Sequence, residues 1–289
     1  MTINIIPMVG TNEQDQSRQN LAIQATARAV QGNAREKLSA ARGYYVATTG
    51  SNTANDGLSA GSPFLTLQKA FTVISQTIDI GGQTVTINVA DGTYTAGINF
   101  SAGTTGGGNL IVSGNLTTPA NVIISVTSDN AFVNSGTITS TVTLRGMKIQ
   151  TTTVGRCIDL EGIGNFIINT LDFGACAGEQ ILVGTGAFLR VNGAYTISGN
   201  ALNHLACLNG GVFQLIGRTV TLTGTPAFGG FVRADRLSFI DWESAPPSGA
   251  ATGSRYSVDG NSLILTGGGG ANYFPGNSVG TEVNGGRYL

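Results

Sequence analysis

The chain has 289 residues and 41% hydrophobic residues, so it can bury a sizeable core and is not intrinsically disordered. Its net charge of −1 gives no basic surface for nucleic acid, and no apolar run reaches the roughly 20 residues of a membrane span. A single histidine excludes multi-histidine metal sites, and three cysteines are too few for a disulfide framework. We expect no metal, cofactor, nucleic-acid partner or membrane insertion, and the first residues are not typical of a signal peptide.

Residues 1–42 differ from the rest of the chain, because they hold 8 of its 31 charged residues and no aromatic residue. Thr11 and Gln14 have the spacing of a helix capping box. A narrow apolar seam follows at helical spacing, formed by Ile23, Ala27, Val30, Ala34, Leu38 and Ala41. Because Gly32 and Asn33 interrupt the seam, the pattern predicts a broken helix or two shorter ones that need a partner to bury it.

The next segment predicts an entry strand at 44–46 and a helix at about 64–76. Ser62 is the expected N-cap, with Pro63 in the first helical position. Leu67, Phe71 and Ile74 then share one helical face. We expect this helix to cap the first coil of the structure that follows.

Beyond residue 82 the chain consists of short segments rich in Val, Ile and Thr, whose apolar pairs repeat every 23–25 residues. Three ladders interleave: Met147/Ile149, Leu171/Phe173, Tyr195/Ile197, Val220/Leu222; Ile158/Leu160, Ile181/Val183, Leu205/Cys207; and Phe166/Ile168, Leu189/Val191, Phe213/Leu215. Three strands per repeat predict an all-β solenoid of stacked coils over residues 43–254. Ile87 is expected over Ile111, and Lys148 beside Asp172 on the next coil. Residues 255–289 are expected to cap the solenoid or to exchange between subunits.

Two stretches resemble known families. Residues 44–70, with Tyr44-Tyr45-Val46 and Ser62-Pro63-Phe64, and Asp91-Gly92-Thr93-Tyr94 resemble the opening of pectin-lyase-like right-handed parallel β-helix proteins. Residues 269–289, with Tyr273-Phe274-Pro275-Gly276, resemble the C-termini of bacteriophage and prophage tail fibres or tailspikes. The resemblance implies a right-handed parallel β-helix in a homotrimeric virion protein. It also implies that residues 1–42 attach to a phage tail or head protein, and that the body contacts a bacterial surface polysaccharide.

Two clusters are candidate sites. Asp159 and Glu161 alternate with inward residues and are expected on one outward face, roughly 6.5–7 Å apart, which suits an acid/base pair. Asp241 and Glu243 are the other candidate catalytic carboxylates. Candidate glycan-binding residues near them are Trp242, Asp235, Arg236 and Tyr256. The alternative is that the carboxylates are solvated surface charges and that Trp242 packs at a subunit boundary. His204 is expected at the surface or in a corner, and the cysteines are expected as buried, reduced side chains.

The leading hypothesis is a phage fibre or spike that binds a host surface glycan without cleaving it. The alternative is a tailspike depolymerase, a glycosidase or lyase, that acts on capsular or lipopolysaccharide chains. A secreted pectin-degrading enzyme is the third reading. Convergence of two carboxylates in one groove distinguishes an enzyme from a binding protein.

Overall fold

The computed structural model describes residues 35–289, together with Gln16, Arg18 and Gln19, which are helical and exposed. Lys37–Leu289 form one compact unit of β-strands with one helix, α1 (Leu67–Thr77), and one 3-10 turn (Pro119–Asn121). The described strands are β1 (Glu36–Lys37), β2 (Arg42–Val46), β3 (Ile78–Asp79), β4 (Thr84–Val89), β5 (Gly92–Tyr94), β6 (Ile98–Asn99), β7 (Asn109–Ser113), β8 (Val122–Ser128), β9 (Phe132–Asn134), β10 (Thr141–Val154), β11 (Ile158–Leu160), β12 (Gly164–Phe173), β13 (Ile181–Val183), β14 (Ala187–Val191), β15 (Tyr195–Ile197), β16 (Ala201–Leu208), β17 (Val212–Leu215), β18 (Val220–Leu222), β19 (Ala227–Asp235), β20 (Phe239–Asp241), β21 (Thr252–Val258), β22 (Leu263–Leu265), β23 (Thr281–Glu282) and β24 (Arg287–Tyr288).

The strands stack into a right-handed parallel β-solenoid, as expected. One face, the long face, is the path β2-β4-β7-β10-β12-β14-β17-β20-β22-β24, and a second face is the eight-stranded sheet from β6 to β23. The third face consists of β5, β8, β15 and β18 with the second halves of β10 and β12. Both long strands reach it by bending near a residue with positive φ, Gly146 at 69° and Thr170 at 51°.

The three predicted ladders are confirmed by the strand register. Met147 lies opposite Leu171, and Tyr195 lies opposite Val220. The other two ladders pair Ile158–Ile181–Leu205 and Phe166–Leu189–Phe213. Their inward residues form one continuous buried core.

One register prediction differs from the structure. Ile111 lies opposite Thr86, and Ile87 lies opposite Val112, so the earliest ladder was displaced by one residue. Phe239 pairs with Val212 and extends the long face. Lys148 and Asp172 are opposite each other as predicted, and Lys148 Nζ lies 3.2 Å from Asp172 Oδ2.

Helix α1 covers the first coil with Leu67, Ala70, Phe71 and Ile74, all fully buried. Its N-cap is Thr66, whose hydroxyl accepts a hydrogen bond from the Lys69 amide at 3.2 Å. The predicted Ser62–Pro63 start is wrong, because Phe64 still exchanges extended backbone hydrogen bonds with 45–47. The packing of Phe71 on Phe100, with ring centroids 5.1 Å apart, closes this end of the core.

The boundaries of the body also differ from the prediction. The apolar seam up to Ala34 lies outside the described residues, and the helix does not continue to 42, because β1 and β2 lie there. Leu38 is buried in the solenoid, where its amide donates to the Asp79 carbonyl. At the other end, β23 and β24 pair on β21 and β22, so residues 255–289 continue the coils. Phe274 packs edge-on against Trp242 at 5.2 Å and fills the last part of the core.

The coil spacing explains why glycine is abundant at corners. Gly97 has an ordinary φ, but a Cβ added there would overlap the carbonyl oxygen of Ala131 on the next coil. Any larger residue would therefore push two coils apart.

Candidate functional site

A groove of about 530 Å³ lies between the first coils, beside helix α1. Its walls come from Gln68 on the helix, the chain before and within β6, the end of β8 and the turn into β9. We call it the α1 groove. Its lining residues are Gln68, Thr95, Ala96, Gly97, Ile98, Asn99, Val126, Thr127, Ser128, Asp129, Asn130, Ala131 and Val133.

The α1 groove presents uncommitted polar groups. The hydroxyls of Thr95, Thr127 and Ser128 are on exposed residues and make no hydrogen bond to any residue that the structure describes. The side-chain oxygen of Asn99 accepts from the Ser101 amide at 2.9 Å, which leaves its NH₂ group to donate outward. Hydroxyl and amide groups that converge on one concave surface are the groups that bind sugar hydroxyls.

A network of charged groups adjoins the α1 groove through Asn130. The side-chain Nδ2 of Asn130 donates to Asp159 Oδ2 at 2.5 Å, and the side-chain oxygen of Asn130 accepts from the Arg156 backbone amide at 2.7 Å. The Arg156 guanidinium bridges two carboxylates, with Nε 2.6 Å from Glu179 and Nη1 3.1 Å from Asp159. Three neighbouring coils therefore contribute to one network, which fixes Asn130 in the groove wall.

Asp159 is the most unusual carboxylate of this network. It lies opposite Val133 of the groove lining, but it is only 5% exposed, and its Oδ1 is buried without a hydrogen-bond partner in the described chain. Burial raises the pKa of the Asp159 carboxyl, Arg156 opposes this, and Glu161 and Glu179 add to the rise. The prediction placed Asp159 and Glu161 together on a solvated face, but only Glu161 is exposed.

The second predicted cluster is dispersed over the solenoid. Asp235 ends β19 on the eight-stranded face, where it pairs with Arg233 at 3.0 Å and lies 3.9 Å from Arg236. Asp241 belongs to β20 on the long face and accepts from Gln214 at 3.2 Å. Glu243 is exposed beyond that strand. The two halves of the predicted site therefore lie on different faces.

The two aromatic residues predicted to bind glycan are both buried and have no free ring face on which a sugar could stack. Trp242 is 0% exposed and lies in the core among Phe213, Phe231 and Phe274. Tyr256 is 6% exposed, and Tyr288 stacks parallel to it at 3.9 Å. Both rings stabilise the C-terminal coils instead.

His204 is also in the core, which corrects its predicted surface position. Its Nε2 lies 2.7 Å from the Tyr195 hydroxyl, and its Nδ1 lies 2.8 Å from Gln180 Oε1. Because the Gln180 oxygen can only accept, Nδ1 carries the proton and Nε2 accepts from Tyr195. Burial lowers the pKa of His204 to about 3, so the ring stays neutral and acts as a structural connector. The three cysteines are free and buried, as predicted.

The sequence prediction missed Asn130, Glu179 and Asp129. The coil period contains part of this signal, because Arg156 follows Asn130 by 26 residues and precedes Glu179 by 23. Residues one period apart lie on neighbouring coils, so Asn130, Arg156 and Glu179 could have been grouped from the sequence. The α1 groove itself depends on where the helix packs, and no residue pattern shows that.

Within residues 35–289, no group of three or more His, Cys, Asp and Glu side chains is arranged to hold a metal ion. No helix among the described residues is long and apolar enough to cross a membrane. The chain matches no family model, no curated protein and no solved structure. Function therefore has to be inferred from the chain's own residues.

Proposed function

We propose that this protein is a bacteriophage fibre or spike subunit that binds a bacterial surface polysaccharide through the α1 groove without cleaving it. The observation that carries the binding part is the set of three uncommitted hydroxyls in that groove, together with the NH₂ group of Asn99. The virion part is supported by the sequence resemblance at residues 269–289, whereas the resemblance at residues 44–70 supports the β-helix fold. Residues 1–34, the part of the predicted segment 1–42 that precedes the solenoid strands, are proposed to contact the phage tail or head protein.

Binding without cleavage is favoured by the carboxylates. Among the described residues that line the α1 groove, Asp129 is the only acidic one. Hydrolysis of a glycosidic bond uses two carboxyl groups about 5–9.5 Å apart on either side of the bond. The partner that Asp129 would need is Asp159, but its Oδ1 is buried and its Oδ2 is held by Asn130 and Arg156.

The alternative is a depolymerase, and one observation favours it. Burial raises the pKa of the Asp159 carboxyl, which is the direction that the general acid of a glycosidase needs, and Asp159 lies directly behind the groove wall. In that case Asp159→Asn abolishes formation of new reducing or unsaturated sugar ends, while polysaccharide binding persists.

Assembly as a homotrimer is part of the proposal. Phe188, Val212, Phe239 and Leu263 lie opposite one another on four consecutive coils of the long face, pointing away from the core. We call them the apolar row. Each is partly exposed, and such a continuous apolar stripe is typical of a contact surface. Because it runs along the solenoid axis, parallel copies can meet with the same coil spacing.

The experiment that tests the proposal incubates the purified protein with a panel of capsular and lipopolysaccharide preparations. It measures bound protein and newly formed reducing or unsaturated ends. Binding without new ends is expected, and Thr127→Ala should weaken it, whereas Thr185→Ala, an exposed hydroxyl outside the groove, should not. Failure to bind any preparation would contradict the proposal, and new ends would favour the depolymerase.

The assembly is tested on the same protein by sedimentation equilibrium. A trimer mass is expected, and Phe239→Asp should reduce it, because it places a charge in the apolar row. A monomer at micromolar concentration would contradict the assembly. Deletion of residues 1–34 should prevent incorporation into virions while the β-sheet circular-dichroism signal stays unchanged.

A further inference from the structure

We propose that the α1 groove selects neutral, hydroxyl-rich polysaccharide segments and rejects chains that carry carboxylate, phosphate or sulfate groups. This inference rests on the proposed glycan-binding function and specifies its ligand class. It is carried by the chemistry of the groove walls and of the network behind them.

The lining contains hydrogen-bonding groups of both kinds but almost no charge. Its side-chain polar groups are three hydroxyls, at Thr95, Thr127 and Ser128, and three amides, at Gln68, Asn99 and Asn130. Hydroxyls and amides offer donors and acceptors together, which match sugar hydroxyls that are themselves both. None of the described lining residues is Lys or Arg, the residues with which proteins bind anionic groups.

The one charged side chain in the lining is negative. Asp129 is exposed at the groove, and one of its side-chain oxygens accepts from the backbone amide of Asn130 at 2.8 Å. This hydrogen bond fixes the carboxylate against the groove wall. Its second oxygen can accept a hydrogen bond from a sugar hydroxyl. An anionic substituent at the same place would meet a like charge.

The cation of the adjoining network is already paired. The Arg156 guanidinium donates to Glu179 through Nε and to Asp159 through Nη1. Two acidic side chains, Asp159 and Glu179, pair with this single arginine, and the charge of Glu161 acts on Asp159. The field behind the groove wall is therefore not positive, and an acidic polysaccharide finds no counter-charge.

The shape of the site agrees with a short segment of a longer chain. About 530 Å³ lies within the roughly 300–1,000 Å³ of sites that bind small ligands. Ala96, Gly97, Val126 and Val133 add apolar surface to the lining, against which the C–H faces of sugar rings can lie. No aromatic residue lines the described groove, so hydrogen bonds rather than ring stacking set the selectivity.

The test compares neutral polymers with acidic ones and includes pairs that differ only in charge. Full-length protein is assayed by biolayer interferometry against dextran, mannan and galactan, and against polygalacturonate, alginate and polysialate. Each acidic polymer is paired with its carboxyl-reduced, neutral form. Binding to neutral polymers or to carboxyl-reduced forms, with at least tenfold weaker binding to the acidic parents, is the expected result.

Charge variants separate the inference from general binding defects. Asp129→Asn keeps the oxygen that accepts from the Asn130 backbone amide but removes the charge, so it should raise the ratio of affinity for an acidic polymer to affinity for its carboxyl-reduced form about tenfold. Asp259→Asn is the matched control, because Asp259 also accepts from the next residue's amide, at 2.6 Å, but belongs to the C-terminal coils. For the unmodified protein, added salt should strengthen binding of acidic polymers by screening the repulsion.

The results distinguish failure of the selectivity inference from failure of the proposed glycan-binding function. Equal or tighter binding of acidic polymers, or no effect of Asp129→Asn on them, overturns the selection for neutral chains and leaves the glycan-binding function in place. Binding of none of the polymers overturns the glycan-binding function itself, and the inference with it.

Discussion

The buried His204 predicts that acid destabilises this protein in a specific way. The unfolded chain takes up a proton near the ordinary histidine pKa of 6.5, whereas the folded ring takes one up only near pH 3. Between these values the unfolded state binds more protons, so stability is lost as the pH falls through 6.5. At 1.36 kcal/mol per pH unit, lowering the pH from 7 to 4.5 costs about 2.5 kcal/mol from this residue alone. The residue is fully buried, so solvent does not reduce the effect.

The assay is urea unfolding, followed by circular dichroism at both pH values, for the unmodified protein and for His204→Gln. The variant cannot titrate at this position, so the difference between the two pH dependences isolates the histidine from the carboxylates. A direct measurement accompanies it, because the chain has one histidine and its Hε1 proton gives one resonance in an NMR titration. That resonance should stay fixed between pH 8 and 4.5. A titration near pH 6.5, or the same pH dependence in both proteins, would refute the buried neutral ring.

Two further predictions concern the core and the surface of the coils. Ile181→Asp should lower the free energy of unfolding by more than about 4 kcal/mol, since it buries an unpaired charge on the second ladder, whereas Ile163→Asp at a 57% exposed position should change it by less than about 1 kcal/mol. Equal melting temperatures for the two variants would contradict the ladder. Asp172→Asn should lower the free energy of unfolding in urea by at most about 1 kcal/mol, because the ion pair with Lys148 is partly solvated. A larger loss would show that the buried Asp172 Oδ1 matters more than the ion pair.

The repeat explains how much of the fold the sequence predicts. A period of 23–25 residues places Ile158, Ile181 and Leu205 on successive coils whatever the loops do, because each coil pairs only with its neighbours. The repeat alone does not extend the ladders where the period changes. The step from Val212 to Phe239 is 27 residues.

The candidate site is less predictable, for two physical reasons. Alternation assigned Asp159 correctly to the outward side, but it does not show that Asn130 and Arg156 from other positions cover it. For His204, strand β16 begins before the predicted pair Leu205/Cys207, so it includes the histidine. Gln180 and Tyr195 hydrogen-bond to both ring nitrogens, which makes a polar ring acceptable in the core. Trp242 was predicted to bind glycan because of its side-chain chemistry. The buried core at the end of a solenoid can equally hold a ring of that size.

Leu237 connects the strain of one loop to the proposed assembly. Its φ is 62°, a conformation that costs a residue with a Cβ about 1 kcal/mol, and its side chain is 72% exposed, so the single chain gains nothing from it. It lies two residues before Phe239 of the apolar row, which is where a neighbouring copy would cover it. Leu237→Gly should therefore stabilise the isolated chain by about 0.5–1 kcal/mol in urea unfolding and weaken self-association in sedimentation equilibrium. Leu202→Gly, at a 54% exposed strand position without positive φ, should destabilise the chain instead. If Leu237→Gly left association unchanged, the strained leucine would not serve the contact, and the apolar row would lose its strongest support.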